Sequence, residues 1–122
     1  MDLTKKHCVP CEGGTPPLSD EKENEMLKRV QHDKNTSGWL LLRYGTHRIR
    51  RMFRFKNFKE AMGFVNKVAE IAEIEGHHPD IKIVYNKVSL ELFTHAVGGL
   101  SENDFIMAAK IDAITTKSSD GV

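Results

Sequence analysis

The pattern between Phe58 and Glu75 constrains this chain more than any other stretch. Phe58, Ala61, Met62, Phe64, Val65, Val68, Ala69, Ile71 and Ala72 fall on one half of a helical wheel. Lys59, Glu60, Asn66, Lys67, Glu70 and Glu73 fall on the other half, with Ile74 as the exception. An apolar face this broad calls for a sheet to cover. Asn57 is placed to cap the start of the helix, and Gly76 to stop it.

Strand-like runs lie on both sides of that helix. Trp39 to Tyr44 and Arg48 to Phe55 are joined near Gly45-Thr46. In the second run Ile49, Phe53 and Phe55 share a face with Arg51, while Arg48, Arg50, Met52 and Arg54 share the other. Beyond the helix, Ile81 to Tyr85 and Val88 to His95 read as a hairpin about Asn86-Lys87. There Val88, Leu90, Leu92 and Thr94 share one face, and Ser89, Glu91, Phe93 and His95 the other. Ser19 caps a first helix to about Gln31, with Met26, Leu27 and Val30 as a thin apolar stripe, and Asp33 to Gly38 breaks it. Ser101 caps a last helix to about Ile114, with Asp104 at its third position in a near capping box. The order α-β-β-α-β-β-α, two hairpins with helices on one face, predicts an α+β domain.

At 122 residues the chain is expected to form one domain. Residues 1–17 read as an extended N-terminal arm, 18–115 as the domain and 116–122 as a frayed tail. A net charge of +1 exerts no global pull toward nucleic acid or membrane. No apolar run approaches the roughly 20 residues of a membrane span, and the N-terminus has no apolar signal core. A cytoplasmic protein is therefore expected. Cys8-Val9-Pro10-Cys11 could be a redox pair or half a zinc site, but it follows no strand and has no second pair. An incidental reduced pair is the plainer reading. Five arginines between Arg43 and Arg54 invite a nucleic-acid reading. A half-buried strand with a solvated basic face explains them better, and attraction of a phosphate or acidic partner is a third option.

The stretch from Gly76 to Asp104 holds three of the six histidines, His77, His78 and His95. A hairpin reverses the chain, so residues distant in sequence can meet at one rim of a sheet. Imidazoles beside a carboxylate are suited to moving protons near neutral pH. Pro79 biases His78 toward extended backbone, which points His77 and His78 apart and disfavours a shared metal. The spacing matches no familiar zinc motif, although a site using three histidines stays open.

His77-His78-Pro79-Asp80, Tyr85-Asn86-Lys87-Val88, Thr94-His95, and Gly99-Leu100-Ser101 with Asp104 together resemble the signature of the pterin-4a-carbinolamine dehydratases. Looser resemblance runs over residues 38 to 114. It implies a four-stranded antiparallel sheet with helices packed on one face, and association as dimers or tetramers. It also implies dehydration of a 4a-hydroxytetrahydropterin to a quinonoid dihydropterin in tetrahydrobiopterin recycling. An aromatic amino-acid hydroxylase would be the metabolic neighbour. No metal, redox cofactor or covalent nucleophile is needed. By this resemblance His77 and His95 are the catalytic acid–base pair, and His78 holds the substrate or assists. Asp104 orients an imidazole, and Glu73 faces the guanidine-like edge of the pterin. The backbone around Phe93 and Thr94 hydrogen-bonds the pterin. Gly76 and Ile81 depart from the family pattern, which more often has an acidic residue and an aromatic there. Some relatives act instead as transcriptional coactivators or assembly factors, so an interaction role is the competing expectation.

Overall fold

A computed structural model describes residues 3–9, 15–30 and 38–117. Its elements are α1 (Asp20–Val30), β1 (Leu40–Leu42), β2 (Arg48–Arg54), α2 (Phe58–Glu75), β3 (Asp80–Val84), β4 (Lys87–Leu92) and α3 (Glu102–Lys117), with 3₁₀ turns at Leu3–Lys5 and His95–Val97. The four strands form one antiparallel sheet in the order β1-β2-β4-β3. The two hairpins therefore meet through β2 and β4, whose register sets Ile49 opposite Leu92 and Phe53 opposite Val88. This is the expected α+β architecture.

Alternation along the central strands decides which face is covered. Ile49, Val88, Leu90 and Leu92 are wholly buried, and Phe53 nearly so. They meet Ala61, Phe64, Val65, Val68 and Ala72 of α2 in one core. Phe64 packs between two strand aromatics, with ring centroids 4.7 Å from Phe53 and 4.9 Å from Phe55. The buried stripe of α2 is narrower than the wheel predicts, since Phe58 is half exposed and Ala69 is exposed. In α3 the run Asn103–Ala108 is buried on consecutive positions because α1, α2 and the N-terminal 3₁₀ turn all pack against this helix.

Several expected boundaries shift. β1 is confined to three residues, and the two-residue turn of the second hairpin is Tyr85-Asn86. Tyr85 has φ 53°, a left-handed conformation that disfavours L-residues by about 1–2 kcal/mol. Asn86 holds that turn against β2, donating from Nδ2 to the Phe55 carbonyl at 2.8 Å. β4 ends at Leu92 instead of running to His95. Thr94 forms an isolated bridge with Gly99, and its carbonyl accepts from the Val97 and Gly98 N–H groups. The chain reverses there, so His95 lies on a turn and not on a strand. α3 runs to Lys117, past the expected end at Ile114. Residues 3–9 of the arm pack on α3, with Leu3 buried. Cys11, the expected helix break from Asp33 to Gly38 apart from Gly38 itself, and the tail from 118 lie outside the described residues.

The arginine-rich strand divides as its alternation requires. Arg48 and Arg50, on the uncovered face, both bond Glu91 across the sheet. Arg51 points to the helical face, where its Nη1 meets Asp112 Oδ1 at 2.7 Å. Trp39 Nε1 donates to the same carboxylate at 3.0 Å. Among the described residues no helix is long and apolar enough to cross a membrane.

Candidate active site

Three chain reversals converge on one buried carboxylate. The first is the end of α2. Asn57 caps its start by accepting from the Glu60 N–H at 2.9 Å, and Gly76 ends it at φ 65°. Only a residue tolerant of the left-handed region can make that turn cheaply. The turn releases His77 two positions beyond Glu75, the last helical residue. The second is the Thr94–Gly99 loop after β4. The third is the start of α3, where Ser101 precedes the first turn and Asp104 occupies its third position. Asp104 Oδ2 accepts from the Ser101 N–H at 2.9 Å, half of the capping box.

Asp104 is completely buried. Its Oδ1 lies 2.6 Å from His77 Nε2, and its Oδ2 accepts from Thr94 Oγ1 at 2.8 Å. Thr94 Oγ1 also lies 2.8 Å from Ser101 Oγ. A buried carboxylate demands donors, and here the ends of α2, β4 and α3 each supply one. When Nε2 donates to the Asp104 carboxylate, the neutral His77 ring has Nδ1 as its acceptor nitrogen. Its side chain is 12% exposed, so solvent reaches little of the ring.

The other expected site residues are placed differently. His95 is exposed on its turn, with Phe93 packed against it at 4.4 Å between ring centroids and 60° between planes. It is tied to Asp104 through its neighbour Thr94. His78 faces solvent and bonds Glu73 Oε2 through Nε2 at 2.6 Å. Both members of that pair are mostly exposed, so Glu73 and His78 form a surface unit beside the buried one. The predicted divergence of His77 and His78 is thus present, each imidazole taking its own carboxylate.

Glu75 and Asn103 escaped the sequence reading. Ala61, Phe64, Val65, Val68 and Ala72 step along the buried side of α2 at intervals of three and four, and the next position on that side is Glu75. A charged residue at the end of a buried stripe was the signal. Its side chain is 3% exposed. Burial pushes its pKa up, but the Cys8 N–H, the His7 ring and the Lys110 ammonium outweigh that and hold it below the ordinary value.

Two other features carry less chemistry. Among the described residues, Asp20, Glu23 and His47 are drawn together as metal-type ligands. Glu23 already accepts from Arg43 at 3.0 Å and bonds His47 at 2.8 Å. A hollow of about 490 Å³ on the uncovered sheet face is lined by residues including Arg50, Met52, Lys82, Val84 and Glu91, and it includes none of the histidines.

Fold and site together define a small α+β domain that holds one histidine, His77, against a buried, hydrogen-bonded carboxylate. The family model of pterin 4 alpha carbinolamine dehydratase matches residues 16–114. The chain belongs to that family. A relative from Nitrosospira multiformis, whose name places it provisionally in the same family, is 50% identical over 113 residues, covering 93% of this chain and 92% of the relative. One from Nitrosomonas eutropha with the same provisional name is 48% identical, covering 93% of each chain. A crystal structure from Brucella melitensis, described as a transcriptional coactivator/pterin dehydratase, superposes with a TM-score of 0.69 at 36% identity, covering 80% of this chain and 97% of that one. A pterin dehydratase-like RuBisCO assembly factor of the alpha-carboxysome shares the fold, with a TM-score of 0.55 at 22% identity, covering 63% of this chain and 88% of that one.

Proposed function

We propose that this protein is a 4a-hydroxytetrahydropterin dehydratase that releases water to give the quinonoid dihydropterin, serving tetrahydrobiopterin recycling. The observation that carries the reading is the chain His77–Asp104–Thr94 leading to His95. In the reaction the N5–H bond breaks, and its electron pair forms the C4a=N5 double bond. The C4a–O bond breaks as the hydroxyl takes up a proton and leaves as water. One imidazole removes the N5 proton and the other protonates the hydroxyl, so no external oxidant or reductant enters. Asp104 holds the His77 tautomer, and Phe93 supports the His95 ring. His78 and Glu73 offer polar contacts at the rim for the pterin.

The test follows the loss of water from freshly made 4a-hydroxytetrahydropterin by ultraviolet absorbance, with EDTA present. Acceleration should survive chelation and fall by about 10²–10⁴ in His77→Ala or His95→Ala. A folded, intact protein that gives no acceleration sinks the assignment. Activity lost to EDTA and restored by metal replaces it with a metal site. The second reading is an interaction protein. It draws on the uncovered sheet face, where Leu40, Met52 and Val84 are exposed, and it becomes the better account if the histidine variants change nothing.

A further inference from the structure

We infer that the N-terminal arm braces the dyad: His7, Cys8 and Val9 tie Glu75 to Asn103 and thereby set the distance between His77 and Asp104. Glu75 stands two residues before His77, and Asn103 stands one residue before Asp104. Glu75 Oε1 accepts from the Cys8 N–H at 2.7 Å, and its Oε2 lies 2.9 Å from His7 Nδ1. Lys110 Nζ approaches the same Oε2 at 3.6 Å. Asn103 grips Val9 from both sides. Its Oδ1 accepts from the Val9 N–H at 3.0 Å, and its Nδ2 donates to the Val9 carbonyl at 2.6 Å. The Cys8 thiol reaches the Asn103 carbonyl at 3.6 Å. The gripped side chains are shielded from water, with Glu75 3% and Asn103 5% exposed, although the His7 ring itself is 76% exposed. Farther back, Leu3 is buried and Lys110 Nζ donates to the Thr4 carbonyl at 2.8 Å, which anchors the arm along α3.

The physical reason lies in what apolar packing cannot do. Apart from the Lys110–Glu75 ion pair, α2 and α3 meet through apolar core contacts, which are non-directional and tolerate small sliding. A 2.6 Å bond between His77 and Asp104 does not. Hydrogen bonds from three consecutive arm residues to the end of α2 and the first turn of α3 oppose that sliding. Glu75 and Asn103 are thus positioning residues, and the arm is the brace between them. The catalytic part of this inference rests on the proposed dehydratase reading, whereas the geometric part does not.

The experiment uses the full chain with Val9→Pro and Asn103→Ala. Val9→Pro deletes the N–H that Asn103 accepts at a residue that is 64% exposed, so the core is untouched. Two readouts are taken well below the unfolding temperature. One is the downfield proton resonance of the His77 ring N–H, identified by its loss in His77→Ala. The other is the separate change in kcat and KM. The brace predicts that the resonance shifts or disappears in both variants, with kcat down about tenfold or more and KM little changed. A folded Val9→Pro protein with the wild-type resonance and wild-type kcat overturns the inference and leaves the arm a purely stabilising segment. If Asn103→Ala does not fold, Val9→Pro decides alone. If the wild type accelerates no dehydration, the resonance still decides whether the arm sets the dyad.

Discussion

Asp104 shows how much one side chain can carry. It closes a helix cap through the Ser101 N–H, receives the Thr94 hydroxyl and orients His77. Asp104→Asn keeps the shape but replaces one acceptor oxygen with a donor, so at least one of three buried donors then faces an N–H. The expected result is a loss of about 1–3 kcal/mol in chemical unfolding, together with a fall in kcat as His77 loses its fixed tautomer. Wild-type turnover in a folded Asp104→Asn protein would show that the dyad is a structural cap alone. The two contacts of Asp104, with the helix cap and with the His77 ring, are made by different oxygens of one carboxylate. His95 was harder to place, because its alternation with Phe93 continues that of β4. Nothing local announces that the Thr94 carbonyl will instead accept from a tight turn.

α2 begins and ends where its capping residues say it should, and the site is built on its end. Gly76 is the point at which α2 hands over to His77. A Cβ built there meets nothing within 4 Å, so space does not forbid alanine. The backbone does, at φ 65°. Gly76→Ala should lower stability by about 1–2 kcal/mol. It should also depress turnover, because any relief of that strain turns His77 away from Asp104. Thermal unfolding and the dehydration assay, run together, check this. Unchanged turnover at reduced stability would mean that the α2 end can relax without moving the ring. The long helix, the strand alternation and the Ser19, Asn57 and Ser101 caps were legible because each is a local preference repeated or placed at a boundary. The Tyr85-Asn86 turn was misplaced by one residue. Asn86 is bound to the carbonyl of Phe55, the residue after β2 and 31 positions away, a contact that local turn preference does not register.

Across the whole molecule, the sheet and the helical layer are joined by polar contacts as well as by the core. Asp112 of α3 accepts from Arg51 of β2 and from Trp39 at the edge of the sheet. Burial pushes its pKa up to about 6 from 3.8, against the opposing pull of Arg51 and the Trp39 hydrogen bond. A carboxyl whose folded pKa lies above its unfolded one adds stability below pH 3.8, and that contribution is lost as the pH climbs to about 6. The ceiling on this change is about 3 kcal/mol. The stability of wild type minus that of Asp112→Asn, from urea unfolding at each pH, should therefore fall between pH 4 and pH 7. A flat difference would mean that the ion pair with Arg51 offsets the burial.

The sequence by itself determined the element order, the covered face of the sheet and the family. These follow from periodicities of two and about 3.6, from capping residues and from motifs within short spans, all of which are written locally. Only the tertiary structure decided that β2 and β4 pair at the centre, and that Arg51 is a partly buried partner of Asp112 rather than part of a basic patch. It also decided that His77 and His78 bond separate carboxylates, and that residues 7–9 close over Glu75 and Asn103. The reason is the same in each case. A charge or an N–H is satisfied by whatever the fold brings within about 3 Å, and for these groups the partner lies from 5 to 94 residues away along the chain.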